Sequence, residues 1–173
     1  APIIANTQIR ISDYWYNEST PNTLTNVQAS TSTALDSEGG ILWQPTSAIN
    51  AGTIFKIGIT KGGNTVTGLP GNVIVTGWTN PATATSPGNA GGENWFIYQG
   101  SSITNVSNFI FLWGNAFTST INSVAITAGT FVTTGSGNIS SNSVTYLPPA
   151  LTLGTNAIAL TTVTYHGDNN VYT

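Results

Sequence analysis

The stretch Ile3-Ile4-Ala5-Asn6-Thr7-Gln8-Ile9-Arg10-Ile11 decides how this 173-residue chain is read. Successive side chains of a strand point to opposite faces of its sheet. Ile3, Ala5, Thr7, Ile9 and Ile11 therefore share one face, and Ile4, Asn6, Gln8 and Arg10 share the other. The first set is apolar or nearly so, and the second is mostly polar. Alternation of this kind predicts a strand with one buried face.

The same period recurs along the chain. In residues 53–60 (TIFKIGIT), Phe55, Ile57 and Ile59 are expected inward and Lys56 outward. Residues 72–79, 94–99, 108–113, 123–127, 130–134, 138–146 and 156–165 are further strand candidates, rich in β-branched and aromatic side chains that suit a pleated surface. Turn formers lie between them: Gly39-Gly40, Lys61-Gly62-Gly63-Asn64, Leu69-Pro70-Gly71, Gly135-Ser136-Gly137 and Pro148-Pro149. No window shows a capped helical period. About ten short strands with regular turns predict an all-β fold, an antiparallel β-sandwich of immunoglobulin-like or jelly-roll type. Residues 79–92 contain two prolines and three glycines and no large apolar side chain, and are read as an exposed loop. The organisation expected is an N-terminal arm over residues 1–12 and one sandwich domain over residues 13–173.

Composition narrows the function. Only 5% of residues are charged, three basic and six acidic, against about 25% in ordinary domains. Thr, Ser and Asn number 29, 16 and 19, more than a third of the chain, while Cys and Met are absent. No disulfide scaffold, thiol nucleophile or cysteine metal site can be built. Three cations cannot neutralise a run of phosphates, so nucleic acid is not an expected partner. No apolar run approaches the ~20 residues that span a bilayer. Hydrophobic residues still make up 39%, with five Trp, six Tyr and six Phe, enough for one core. An opening at Ala1 without Met reads as a mature secreted chain whose leader has been removed, so an extracellular or cell-surface location is expected.

Chemistry is sparse. His166 is the only histidine, and Asp168 follows it in a turn-like run, so a Ser-His-Asp triad has little to build on. Paired carboxylates could come from Asp13, Glu18, Glu38 or Glu93, and only Glu93 stands at a strand edge beside an aromatic. Asp36-Ser37-Glu38 and Asp168-Asn169-Asn170 lack the spacing of a calcium loop. No catalytic residue, metal or cofactor is assigned. Asn17, Asn105 and Asn138 stand in Asn-x-Ser sequons and are candidate glycosylation sites. Tyr14, Tyr16 and Trp78 could stack on sugar rings. Tyr14 and Tyr16 fall on one strand face and Trp15 on the other, so one side is expected to be exposed.

The arm either completes its own sheet or leaves to complete that of a neighbour, joining main-chain hydrogen bonds to side-chain pockets at alternate positions. A head-to-tail contact of that kind that does not close makes a filament. The segment 13–25, interrupted by Pro21, would be the hinge.

The opening Ala1-Pro2-Ile3-Ile4, the short alternating arm and the Thr/Asn/Ser-rich, weakly charged β body with sequons together resemble the subunits of archaeal extracellular thread filaments. More widely, they resemble donor-strand pilins without disulfides. The resemblance covers the whole chain in composition and architecture. It implies a homopolymer in which Ile3, Ala5, Thr7, Ile9 and Ile11 of one subunit fill a groove in the next, a glycosylated surface, and a role in adhesion or biofilm formation. Chaperone–usher pilins usually carry a disulfide and type IV pilins a long apolar helix, and this chain has neither. Other readings are a carbohydrate-binding sandwich, a lectin or a cellular or viral adhesin tip, using Tyr14, Tyr16 or Trp78 toward surface glycans; a glycosidase depending on Glu93; and a viral coat subunit.

With six carboxylates and one histidine, few groups change charge between neutral and acid pH, and acid unfolding is driven by such groups. Thermal midpoints at pH 2.5 and pH 7 are expected to lie close together, and a fall of tens of degrees in acid would contradict the charge argument.

Overall fold

Ile9–Ser12 forms strand β1, and its neighbours organise the molecule. On one side it pairs antiparallel with β6 (Gly39–Gln44), placing Ile11 opposite Ile41. On the other it pairs antiparallel with β10 (Asn94–Gln99), placing Ile11 opposite Ile97. The computed structural model describes residues 1–16, 19–25, 27–28, 33–34, 39–59, 65–77, 94–114, 119–121, 124–126, 130–132 and 145–159. Beyond β6 lies β9 (Asn72–Gly77), and beyond β10 lie β11 (Asn108–Gly114) and β14 (Ala157–Ala159). The six-stranded sheet runs β14-β11-β10-β1-β6-β9. Four smaller pairs accompany it: β2 (Trp15–Tyr16) with β3 (Leu24–Thr25), β4 (Val27–Gln28) with β5 (Thr33–Ala34), β7 (Gly58–Ile59) with β8 (Val66–Thr67), and β12 (Ser119–Ile121) with β13 (Val124–Ile126). The fold is all-β, with no helix among the described residues. One expected detail differs: β14 joins β11 in parallel, so the large sheet is mixed rather than purely antiparallel.

Pairing fixes which side chains share a face. Ile9, Ile11, Ile41 and Trp43 are buried on one face, where Ile3, Ile49, Phe55, Ile59, Val66 and Leu69 pack over them. Trp43 and Phe55 meet edge to face at 5.2 Å, and the Trp43 indole N–H donates to the Pro70 carbonyl at 2.7 Å. The other face carries Phe96, Tyr98, Phe109, Leu112 and Ala157, closed by Tyr14, Tyr16, Leu24, Val106, Phe131, Tyr146 and Leu151. The sheet thus has a core on each side. A one-residue slip of β1 would turn Ile9 and Ile11 away from Ile41 and Trp43 and bring Arg10 and Ser12 into that core, so packing specifies its register.

The alternation in residues 3–11 is realised in burial more fully than in backbone. Ile3, Ala5 and Thr7 are half-buried and Ile9 and Ile11 buried, while Ile4, Asn6 and Gln8 are exposed. The strand itself is interrupted. Asn6 adopts a left-handed φ of 66°, which asparagine tolerates, and its N–H donates to the Pro45 carbonyl at 2.7 Å. Ile3 then exchanges two 2.9 Å hydrogen bonds with Ile49.

Several expectations need correction. Gly39-Gly40 is not a turn but the start of β6, and both residues are buried. A Cβ on Gly40 would lie 2.7 Å from Ile103 Cδ1 and 3.0 Å from the Ile11 carbonyl oxygen, so glycine here lets two strands and a loop approach closely. Of residues 53–60, the described part, 53–59, yields only the short β7; Phe55 and Ile59 are half-buried as expected, but Ile57 is exposed. Of residues 130–132, only Val132 pairs, through an isolated bridge to Tyr146. The 79–92 segment lies outside the described residues.

Gly100 is tighter still, since a Cβ there would fall 1.9 Å from the Asn105 carbonyl oxygen. Gly40→Ala should cost roughly 1–3 kcal/mol, the usual range for overpacking. Gly100→Ala should cost more, because a backbone carbonyl cannot swing aside as Ile103 can. Urea unfolding of the two variants checks the order, and equal stabilities would contradict it.

Candidate functional site

The slot filled by β1 gathers side-chain and main-chain hydrogen bonds from Arg10, Ser12 and Asp13. Its apolar floor is the pair Ile9 and Ile11, set by period-2 alternation. Its polar half comes from Arg10, Ser12 and the next residue, Asp13. The Arg10 guanidinium donates from Nε to the Gly100 carbonyl at 2.9 Å and from Nη2 to the Ser101 carbonyl at 3.1 Å. Ser12 Oγ donates to the Gly39 carbonyl at 2.8 Å and accepts from the Tyr14 N–H at 3.1 Å. Asp13, only 1% exposed, accepts the Gly39 N–H at 2.6 Å and returns its own N–H to the Gly39 carbonyl at 3.2 Å. A charged group in a dry site must be hydrogen-bonded, and here main-chain groups supply the partners.

Tyr98 lies under this array, fully buried, with its hydroxyl donating to the Ile103 carbonyl. Burial pushes its phenol well above the usual tyrosine range, and the positive charge of Arg10 and the Ser12 hydroxyl offset only part of that.

Directly after β1 the chain enters the second core. Tyr14, Trp15 and Tyr16 are all buried. The Tyr16 N–H donates to Thr145 Oγ1 at 2.8 Å, and its ring meets Phe109 edge-on at 5.6 Å. The expectation that one side of this triplet is exposed is therefore corrected: the strand runs between packed layers, and neither face reaches solvent. Tyr14 and Tyr16 offer no open platform for a sugar. Trp78, the third residue of that reading, lies outside the described residues, as do Asn17 and Asn138. Asn105 is exposed, on the loop before β11, with its backbone N–H bonded to Ser102 Oγ at 3.1 Å.

An apolar hollow of about 320 Å³ opens on the Ile11 face. Ile11, Ile41, Ile97, Trp95, Phe111 and Trp113 of the sheet line it, with Ile57 and Ile59 from the segment above. None of these side chains is titratable, so the hollow's lining offers no acid, base or nucleophile. Among the described residues no three His, Asp or Glu side chains gather as a metal site, and no helix is long and apolar enough to cross a membrane. Glu18, Asp36, Glu38, Glu93, His166 and Asp168 lie outside the described residues. Asp13 does not, and its carboxylate is occupied by main-chain bonding. No protein-family model matches the chain, and no curated protein or solved structure gives a significant match.

The residues that sequence reasoning passed over are Ser12, Gly39 and Tyr98, with Arg10 recognised only as outward-facing. Their partners are main-chain groups far along the chain, and no local pattern marks such pairs.

A phenol with a raised pKa disfavours ionisation in the folded state. Its contribution is fully present below the unfolded value of about 10 and is lost as pH rises past it. Stability in urea should hold to about pH 10 and then fall, by up to ~1.4 kcal/mol per pH unit from one such group. Tyr98→Phe should show a shallower alkaline decline than the parent, and identical declines would overturn the assignment.

Proposed function

We propose that this chain is a secreted structural subunit of an extracellular filament, assembled by insertion of the N-terminal strand of one subunit into the sheet of the next, and serving adhesion or biofilm formation. The observation that carries the reading is the place of β1. It is a central strand whose two partners, β6 and β10, are both distant in sequence, and no hairpin ties it to either. Without it the sheet falls into β14-β11-β10 and β6-β9, separated by an open slot. In the structure β1 fills the slot of its own chain, with Ile9 and Ile11 in that chain's core. A copy of the same strand would make identical contacts from another subunit, as in domain exchange.

Burial of Ile9 and Ile11 contributes ~1.5–3 kcal/mol each. Arg10, Ser12 and Asp13 add direction and register, since each polar bond is made only at one setting of the strand. Tyr14 to Tyr16 are as deeply buried as β1 itself, so the exchanged piece would run through Tyr16. The hinge would then lie in residues 17–23, the connection between β2 and β3 that contains Pro21. The weakly charged surface tolerates close stacking of subunits, and exposed Asn105 is suitably placed for an N-glycan.

The chain has no cysteine, so an engineered pair reports unambiguously. Arg10 and Leu42 are direct cross-strand partners, within disulfide reach. Native assemblies carrying Arg10→Cys with Leu42→Cys, oxidised and then denatured, are expected to give a ladder of covalent multimers. A single monomer band holding an internal disulfide would show that β1 stays in its own chain, and would overturn the proposal.

A further inference from the structure

Among the described residues, the outer edge of β9 is the longer of the two unpaired edges of the large sheet. β9 spans six residues, Asn72–Gly77, and among the described residues no strand pairs with its outer side. Protein sheets usually protect such an edge with charge, proline or brevity. Asn-Val-Ile-Val-Thr-Gly has no charge and no proline, and its six residues equal β6 and β10 in length. Short, uncharged, β-branched segments of this kind are the ones that pair with their own copies.

The pattern of the strand also says which partner fits. Val73 and Val75 lie on the Ile11 face, opposite Trp43 and Ile41 of β6. Asn72, Ile74 and Thr76 lie on the other face, all exposed, and Ile74 is 59% exposed although it is a large apolar side chain. The sequence is nearly palindromic about Ile74. Two antiparallel copies related by a two-fold axis at that residue set Ile74 against Ile74, Val73 against Val75 and Asn72 against Thr76. Apolar meets apolar on both faces, and an amide meets a hydroxyl at each end. No like charges oppose each other, because the strand has none.

We infer that β9 is a self-complementary interface that pairs two copies of this chain edge to edge about Ile74. Two six-stranded sheets become one of twelve, and the two exposed isoleucines cover each other. Cross-strand apolar pairs and a ladder of main-chain bonds supply the affinity. A contact of this length is weak by itself and gains strongly when many copies are displayed on one polymer. Pairing through β9 uses neither β1 nor its slot, so it does not depend on strand exchange, and in a filament it would join neighbours side by side.

Single cysteines introduced into the full chain test the axis. Ile74→Cys places two thiols opposite each other at a distance a disulfide can span. Ile4→Cys is the control, since Ile4 is 74% exposed but lies off this edge. Under mild oxidation Ile74→Cys is expected to form covalent dimers roughly tenfold or more faster than Ile4→Cys, the signature of a preformed pair. Ile74→Lys is expected to abolish the non-covalent pairing seen by sedimentation. Added to the Arg10→Cys, Leu42→Cys variant, it is expected to leave any covalent ladder from strand exchange unchanged. Equal cross-linking rates at positions 74 and 4 would overturn the inference. So would association of the oxidised Arg10→Cys, Leu42→Cys species beyond their covalent size that Ile74→Lys leaves intact, since contacts made by strand exchange are already counted in the covalent ladder.

Discussion

The fold depends on one strand being held from both sides. Ile11 sits opposite Ile41 and Ile97 at once, and each of those strands continues outward to the edges of the sheet. β6 and β10 never pair with each other, so all continuity between the two halves of the sheet passes through four residues. A strand in that position must satisfy main-chain hydrogen bonds on both sides and packing on both faces. Its neighbours are distant in sequence, so the slot is assembled by long-range closure before β1 gains anything from entering it. Such topologies fold slowly, because loop-closure entropy comes before reward. The slot and the strand that fills it are joined only by long-range contacts, so under the proposed mode of assembly a strand of the same sequence from another chain meets the same partners.

The scarcity of charge shapes how the slot is locked. Among the described residues only Arg10, Asp13 and Lys56 carry charged side chains, and the two beside the slot each bond to the main chain. Arg10 donates to two carbonyls and Asp13 accepts from an amide. Bonds between a charge and a main-chain dipole are directional and stronger than neutral ones. They are also less sensitive to salt than an exposed ion pair. Removing one partner would leave a buried polar group unsatisfied, which costs more than the bond contributes. The lock therefore acts mainly against wrong registers.

Much of the architecture is legible in the sequence. The alternation over residues 3–11 matches the burial of every residue but Arg10, which is half-buried, because period 2 survives the left-handed turn at Asn6. Residues 94–99 coincide with β10, and 108–113 nearly coincide with β11. Gly39-Gly40 misleads for a physical reason: glycine is used for turns and for close approach alike, and the local sequence is the same in both. Gly40 serves the second purpose, against Ile103 and the Ile11 carbonyl. Tyr14-Trp15-Tyr16 misleads because alternation implies one wet face only when a sheet has one wet face. Here the strand passes between layers, and Trp15 is 1% exposed. The Ser12–Asp13–Gly39 cluster is not legible at all, since nothing in residues 12–13 announces a partner at 39.

The two ends of the sheet are treated differently. β14 is three residues long, joins in parallel, and offers the small Ala157 and Ala159, so that end is blunted by brevity and by the lack of large side chains. β9 is twice as long, antiparallel and headed by exposed Ile74. In an ordinary protein a lysine at position 74 would cost almost nothing, because the site is open to water, and it would remove an aggregation hazard. An isoleucine in that place is a liability for a solitary molecule. It becomes useful once the edge has a partner, and the symmetry of Asn72 to Thr76 about it favours a partner of the same sequence.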